Sequence, residues 1–258
     1  MDGSLPVIRE QFVRTLGGGI LYDASRLSKP QDELFDRAHW AAKHALEERS
    51  GGRGTVALLL AGGQRWVLRH YRRGGFVAKI SRDRYVWTGG ARTRSFAEWR
   101  LLAQLRRLGL PVPAPIAARY VRRGWTYTAD LITELLPDAA TLAQAIVQPT
   151  LPADQWREIG RTIAAFHAHG VHHADLNAHN ILLARADEPC ARCSVAPPLV
   201  YLLDFDRGRI RPRGAWENDV LNRLRRSLEK ITRERPNAAF DERAWGWLME
   251  GVMATSES

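Results

Sequence analysis

Short apolar runs separated by glycine dominate the first half of the chain. Two such runs, Val56–Leu60 and about Arg65–Tyr71, flank a Gly-Gly pair, and two more lie near Ile116–Val121 and Thr126–Leu135. Runs of this length bounded by turn residues predict β-strands, and a short glycine turn joins antiparallel neighbours. The pattern therefore predicts a small antiparallel sheet.

A period of three to four residues replaces this pattern in five segments and predicts α-helices there. These segments are residues 32–48, 95–108, 152–170, 217–234 and 241–253. Ser95 and Glu98 have the spacing of a capping box at the start of the second segment.

The order of these elements predicts an α+β protein with two lobes. The N-lobe, residues 1–136, would contain a leading helix, a Gly-rich loop, the antiparallel sheet and one main helix. The C-lobe, residues 137–258, would be mostly helical around short strands. We expect the lobes to be joined near Leu135–Asp138, with a cleft between them.

The composition is that of a soluble globular protein. The 258 residues are 45% hydrophobic and 26% charged, which are ordinary values. The apolar runs are far shorter than the roughly 20 residues that cross a bilayer, and the N-terminus lacks the pattern of a secretory signal. We therefore expect a cytoplasmic protein.

The formal net charge is +10. A positive field attracts polyanions such as nucleic acid, anionic membrane surfaces and phosphorylated substrates. An arginine-rich genome would explain part of the excess, and charge alone does not choose among these partners.

Cys190 and Cys193 form a single C-x-x-C in the stretch EPCARCSVAPP. A structural zinc site needs four ligands, and the sequence has no second pair of cysteines. We expect this segment to be an inert loop.

The stretch HHADLNAHNILL, residues 172–183, has the residues of a phosphotransferase loop. His173, Asp175 and Asn180 fit the spacing H-x-D-x-x-x-x-N between a predicted helix and an apolar run. In this chemistry the aspartate accepts the proton of the attacking hydroxyl, and the asparagine holds Mg²⁺. Asp175 is therefore a candidate catalytic base, and Asn180 a candidate metal ligand.

A second motif follows the apolar run Leu199–Leu203, in the stretch YLLDFDRGR. Asp204 and Phe205 have the form of D-F-G, with Asp206 in place of the glycine. A magnesium ion that bridges nucleotide phosphates needs a carboxylate ligand, so Asp204 is a candidate for that role. Each motif alone is weak, whereas the two in this order form a specific combination.

Two other interpretations of the first motif remain open. A zinc site built from His172, His173 and Asp175 would need its ligands on one face, and adjacent histidines diverge. A hydrogen-bonded polar cluster without catalysis would also fit, and we expect His173 to brace the loop in either case. Asn177, at the position of a lysine in protein kinases, and His179 are candidates for contact with the substrate.

The chain resembles the lipopolysaccharide kinases of the protein-kinase-like superfamily over roughly residues 50–235. The resemblance depends on the phrases VLRHYRRGG, HADLNAHNILL and YLLDFDRGRIR. It implies a bilobal protein-kinase-like α+β fold with ATP and Mg²⁺ as cofactors.

The resemblance also implies residues that bind the nucleotide. Glu98 matches the glutamate that holds a phosphate-binding cation, and the position of that cation, a lysine in the family, falls on Arg69. An arginine can bind phosphate bidentately, and Lys79 remains the alternative. Gly52 and Gly54 belong to a degenerate glycine-rich loop, whose amides would cover phosphates or form a plain hairpin turn.

The remaining nucleotide contact implied by the resemblance is to adenine. The backbone of the stretch from Glu134 to Leu136 would bind it.

The implied reaction is transfer of the ATP γ-phosphate to a hydroxyl, expected to be the 4-hydroxyl, of 3-deoxy-D-manno-octulosonic acid (Kdo) on a lipid A precursor, in lipopolysaccharide core biosynthesis. The implied partners are this Kdo–lipid A precursor glycolipid and the anionic surface of the inner membrane, and nucleic acid is not expected. The implied location is peripheral, on the cytoplasmic face of that membrane.

A helical pattern resumes about ten residues after Asp204, which leaves little room for a peptide-docking segment and favours a small or glycolipid acceptor. Four arginines alternate in this interval and would face one way if the chain were extended. With two earlier arginines they would contact lipid A phosphates or the Kdo carboxylate, although a solvated arginine surface explains any one of them equally well. These six residues are Arg72, Arg73, Arg207, Arg209, Arg211 and Arg213.

Two alternative functions stay open. One is a kinase for another core sugar such as heptose, and the other is a non-catalytic kinase-like module that binds anionic lipid or RNA. Intact Asp175, Asn180 and Asp204 favour an active enzyme, whereas Arg69 and Asp206 are the departures that keep the second alternative open.

Overall fold

The chain divides into two compact units in this computed structural model, which describes residues 7–51, 54–72, 83–136, 139–147, 151–184 and 200–254. The sheet unit takes in Ser4–Arg107 and Pro113–Leu135, and the helical unit takes in Leu108–Val112 and Leu136–Ser258. Among the described residues, none of the helices is long and apolar enough to span a bilayer.

The sheet unit contains an eight-stranded antiparallel sheet. In chain order the strands are β1 (Glu10–Thr15), β2 (Gly18–Asp23), β3 (Leu46–Gly51), β4 (Gly54–Ala61), β5 (Gln64–His70), β6 (Tyr85–Val86), β7 (Pro115–Arg123) and β8 (Thr126–Glu134). The strands predicted from the apolar runs are present as β4, β5, β7 and β8. Across the sheet the strand order is β1-β2-β7-β8-β5-β4-β3, and β6 pairs with β8.

The prediction of one leading helix over residues 32–48 is wrong. A 3-10 helix spans Asp32–Phe35, and the α-helix α1 spans only Arg37–Ala42. His44 then takes a positive φ of 53°, a left-handed conformation that ends a helix. The remaining residues join the sheet as β3, which pairs with β4.

The main helix of the sheet unit, α2 (Arg94–Arg107), begins one residue before its predicted start. It buries the predicted apolar face, namely Phe96, Trp99, Leu102 and Leu105. The predicted capping box is absent, because the Ser95 hydroxyl donates to the Arg119 carbonyl at 2.9 Å from inside the helix. The Glu98 side chain is therefore not used in that capping box and can pair with a residue of the sheet.

The helical unit contains the predicted helices of the second half and two small sheets. Its helices are α3 (Leu142–Ala145), α4 (Ala153–Ala168), α5 (Trp216–Glu234) and α6 (Glu242–Ala254). Its strands are β9 (Ala139–Thr141), β10 (Val171–His172), β11 (Ile181–Ala184), β12 (Val200–Leu202) and β13 (Arg209–Ile210). The sheets have the orders β12-β11-β9 and β10-β13.

Helices α4 and α6 approach closely at two glycines. A Cβ built on Gly160 would lie 2.0 Å from the Leu248 carbonyl oxygen, and one on Gly251 would lie 2.0 Å from the Arg157 carbonyl oxygen. Only glycine permits this backbone contact, which fixes the position of α4 immediately before the loop that carries Asp175.

Candidate active site

Two adjacent strands bring the predicted catalytic residues of the helical unit together. Ile181 of β11 lies opposite Leu202 of β12, and the Leu203 amide donates to the Asn180 carbonyl at 2.9 Å. The Asn180 side-chain amide, Nδ2, donates to the Asp175 carbonyl at 2.9 Å. The loop of Asp175 and Asn180 is thus hydrogen-bonded to the residue that precedes Asp204.

His173 braces this arrangement from inside the unit. It is 3% exposed, its Nε2 lies 2.8 Å from the Leu203 carbonyl, and the Asp175 amide donates to its Nδ1 at 3.2 Å. A carbonyl only accepts and an amide only donates, so the ring is neutral with its proton on Nε2. Burial lowers the pKa of His173, which favours the same neutral form.

Asp204 has an unusual backbone conformation, with φ of 59°. Left-handed φ values are several-fold enriched in Asp and Asn, and such residues cluster at functional sites. The next side chain, Phe205, is fully buried and stacks on Phe166 with ring centroids 5.7 Å apart. The buried phenyl ring fixes the turn that presents Asp204.

The residues of this cluster fit a magnesium ion. Asn180 uses Nδ2 in its bond to Asp175, so its side-chain carbonyl oxygen is the atom suited to a metal, and Asp204 adds a carboxylate. Mg²⁺ takes hard oxygen ligands, few of them from protein, and completes its shell with water and phosphate. Within the described residues no group of three or more His, Cys, Asp or Glu side chains is placed to hold a metal ion.

Arg223 is a functional candidate that the sequence analysis missed. Its Nη1 lies 3.3 Å from Asp175 Oδ1, and both side chains are about half exposed. Arg223 belongs to α5, 48 residues further along the chain, and an exposed arginine on a helix gives no signal of such a contact. The candidate base therefore has a guanidinium partner.

Asn177 and His179 lie in the same loop, but Asn177 turns inward. Its Nδ2 donates to the Asp175 carbonyl and its Oδ1 accepts from the His179 amide, both at 2.9 Å. These bonds use both polar ends of the side chain to shape the loop. His179 is exposed.

The chain after Asp204 is not extended throughout, which corrects the expectation that the four arginines of this row would all face one way. Arg207 has a left-handed φ of 62°. Arg211 lies over the ring of Trp216 at 5.8 Å, and Arg213 forms two 3.0 Å bonds with Glu217. Arg209 lies in β13 opposite His172.

In the sheet unit, Arg69 of β5 forms an ion pair with Glu98 of α2. The Glu98 carboxylate is 2% exposed, and the hydroxyl of Tyr71 also donates to it. Arg69 donates to the Tyr71 hydroxyl at 3.1 Å. Burial, followed by the Glu98 charge, raises the pKa of Tyr71, so the tyrosine stays a neutral donor.

Replacing Arg69 with Met is expected to lower the free energy of unfolding by about 3 kcal/mol, because it leaves the Glu98 carboxylate buried without its cation. The double variant Arg69→Met/Glu98→Met is expected to recover most of that loss. Urea unfolding of the variants measures both effects. A double variant less stable than Arg69→Met would contradict the assigned pairing.

The backbone from Glu134 to Leu136, which was predicted to bind adenine, is partly occupied by hydrogen bonds within the protein. Glu134 and Leu135 donate their amides to the Ala114 and Arg65 carbonyls at 2.9 Å, which excludes these two amides as donors to adenine. Any backbone contact from this stretch would come from Leu136 or from carbonyl oxygens. The Glu134 side chain lies 3.5 Å from Arg26.

Two predicted site residues of the glycine-rich turn and of the basic segment after β5 lie in the described part of the chain. Gly54 lies opposite Gly51 at the end of the β3–β4 hairpin, and Arg72 is exposed. The remaining ones lie outside the described residues: Gly52, Arg73, Lys79, Cys190 and Cys193.

Comparison with known proteins gives concordant matches. Residues 37–251 match the family model described as "Lipopolysaccharide kinase (Kdo/WaaP) family". Proteins named 3-deoxy-D-manno-octulosonic acid kinase are 46% identical over 220 residues in Xylella fastidiosa (84% of this chain, 83% of the relative) and 41% identical over 240 residues in Xanthomonas campestris pv. campestris (89% and 91%).

A solved structure described as "WaaP in complex with acyl carrier protein" has a similar fold. It aligns with a TM-score of 0.52 at 18% identity and covers 88% of this chain and 87% of its own. This likeness confirms the predicted kinase-like α+β fold.

Proposed function

The chain belongs to the lipopolysaccharide kinase (Kdo/WaaP) family, and we propose that it transfers the γ-phosphate of ATP to the 4-hydroxyl of Kdo on a lipid A precursor. Membership makes it a phosphotransferase that acts on a sugar hydroxyl. The observation that carries the proposal is the hydrogen-bonded cluster in which Asn180 joins the loop of Asp175 to the strand end before Asp204.

Asp175 is the proposed general base. Its carboxylate is half exposed, so an acceptor hydroxyl can reach it, while its backbone amide and carbonyl are fixed by His173 and Asn180. A fixed backbone with an accessible carboxylate is what proton transfer from an incoming hydroxyl requires.

Asn180 and Asp204 are the proposed ligands of Mg²⁺, and Arg69, held by Glu98, is the proposed cation for nucleotide phosphate. When bound, the ion would neutralise charge on the transferred phosphoryl group. Arg69 presents a planar guanidinium, which suits two oxygens of one phosphate. The buried Glu98 restricts its orientation.

The acceptor side of the cluster is positively charged. Three arginine side chains, Arg209, Arg211 and Arg223, act on the neighbouring His172 and, after burial, are the causes that lower its pKa. Arg223 also contacts Asp175. Kdo is a sugar acid, and we propose that its carboxylate binds to Arg209 and Arg223, which would orient a hydroxyl towards Asp175.

Replacing Arg223 with Ala is expected to raise the KM for the acceptor by about 10- to 100-fold, the value of a hydrogen bond to a charged group. With the methyl ester of the Kdo carboxylate as acceptor, the wild type should lose affinity and the variant should lose little more. Arg226→Ala, an exposed arginine on the same helix, is the matched control. If Arg223→Ala raised the KM for the methyl ester as much as the KM for the acid, the proposed contact between Arg223 and the Kdo carboxylate would be contradicted.

A lipid-borne acceptor places the reaction at a membrane. We propose a peripheral location on the cytoplasmic face of the inner membrane, where the net charge of +10 favours an anionic surface.

Phosphate transfer from labelled ATP distinguishes the proposed acceptor from its rivals. We expect transfer to Kdo–lipid A in the presence of Mg²⁺ and little transfer to an acceptor whose only free sugar is heptose. Preference for heptose would replace the acceptor, and absence of turnover with either would favour the non-catalytic alternative.

A further inference from the structure

Three of the four most exposed large apolar side chains in the described part of the chain lie at one end of the sheet. Leu16 is 107% exposed, Trp125 86% and Val86 68%. Isolated apolar residues on a surface are ordinary, whereas a group of them marks an interaction surface. The other exposed apolar residues, such as Val7 and Met253, lie outside this group.

The strand register explains why the three residues share one end. Leu16 lies in the β1–β2 turn and Trp125 in the β7–β8 turn, and the amide of Arg122 donates to the Gly17 carbonyl at 2.7 Å. Val86 of β6 lies opposite Thr126, and the Trp87 amide donates to the Trp125 carbonyl at 2.9 Å. Two hairpin turns and the short β6 therefore lie side by side.

Three arginines lie beside this group, on the side of the β7–β8 turn. Arg84, Arg122 and Arg123 are exposed, and Arg122 is held over the Trp87 ring at 5.0 Å with its Nε bonded to the Gly124 carbonyl at 2.9 Å. The acid beside Arg84, Asp83, lies 3.5 Å from His70. On the other side, Asp32 pairs with Arg119. Glu33 is exposed and lines the same pocket as Leu16. The surface is thus apolar at its tip, basic beside the β7–β8 turn, and acidic beside the β1–β2 turn.

We propose that this hairpin-end surface docks the enzyme on an anionic lipid bilayer. Tryptophan and leucine at the apex would enter the interfacial region, where the indole ring is favoured. The arginines beside them would meet the negative lipid headgroups. Leu16 and Trp125 lie in hairpin turns and are almost fully exposed, which suits shallow insertion into a bilayer better than enclosure of a peptide.

The proposal rests on the proposed function, because a lipid-borne acceptor is what gives docking a purpose. The contact itself needs neither nucleotide nor acceptor, so it can be measured without catalysis.

Flotation of the full chain with vesicles tests the surface. We expect binding to phosphatidylcholine vesicles that contain phosphatidylglycerol and weaker binding to phosphatidylcholine alone. Leu16→Ser/Trp125→Ser should weaken binding by about tenfold or more, because the variant lacks the apolar side chains that binding to the bilayer would remove from water. Arg122→Gln/Arg123→Gln should weaken it similarly and reduce its salt dependence.

Matched controls are Val7→Ser/Met253→Ser for exposed apolar residues and Arg233→Gln/Arg235→Gln for exposed arginines, and both should bind like the wild type. Equal binding by all variants would overturn the proposal. So would loss of binding in the controls to the same extent, or a wild type that binds an acidic carrier protein but no vesicles.

A second measurement separates this surface from the proposed function. On a detergent-dispersed acceptor, the Leu16→Ser/Trp125→Ser variant should keep the wild-type rate, because no bilayer is involved. A wild type inactive on that acceptor would reject the proposed function, while the vesicle result would still decide the docking surface.

Discussion

Replacing Asp175 with Asn is expected to lower kcat by about 10²- to 10⁴-fold, the usual contribution of a positioned general base. The amide cannot accept the proton of the attacking hydroxyl, yet it has nearly the same shape. The bonds that shape the loop come from the backbone of this residue, to His173, Asn177 and Asn180, and survive the change. Its side chain contacts Arg223. Single-turnover transfer of the γ-phosphate measures the loss.

The control for this variant is nucleotide affinity together with thermal unfolding, and both should stay close to the wild type. Arg223→Ala separates the base from its guanidinium partner, since it should act mainly through the KM for the acceptor. A folded Asp175→Asn enzyme with undiminished kcat would show that another group accepts the proton.

Replacing Asp204 with Asn is expected to lower kcat on the order of 10²- to 10³-fold, because a metal ligand that stabilises transferred charge supplies several kcal/mol. Asparagine tolerates the left-handed φ of 59° at this position, so the backbone is kept while the charge is lost. The concentration of Mg²⁺ needed for half-maximal activity should rise. A titration of activity against Mg²⁺ measures both effects.

Asp206→Asn, two residues further on, is the matched control and should leave the Mg²⁺ requirement near that of the wild type. If Asp206→Asn were the more damaging change, the metal-binding carboxylate would have been assigned to the wrong residue of the D-F-D sequence.

Much of the fold could be predicted because its signals are local. The strands β4, β5, β7 and β8 follow apolar runs, and α2 and α4 follow helical periodicity. The hairpin of β1 and β2 was missed although Gly17 to Gly19 between two apolar runs is a hairpin signal. The helix prediction for residues 32–48 was wrong for a non-local reason, since the end of this segment pairs with β4 as a strand.

The candidate site divides in the same way. Asp175, Asn180 and Asp204 come from short motifs whose spacing fixes chemistry, and the structure brings them together. Arg223 could not be found, because only the folding of α5 against the loop creates its contact with Asp175. The prediction for the four alternating arginines was wrong because alternate residues share one face only in an extended chain. The backbone at Arg207 is not extended.

The most direct test of the account is the position of the phosphate in the product. The enzyme, ATP and Mg²⁺ are incubated with Kdo–lipid A, and the product is analysed by tandem mass spectrometry and phosphorus–proton correlation NMR. The account predicts one added phosphoryl group on Kdo, at the oxygen of carbon 4. A phosphate on the lipid A sugars, or none on Kdo, would contradict it.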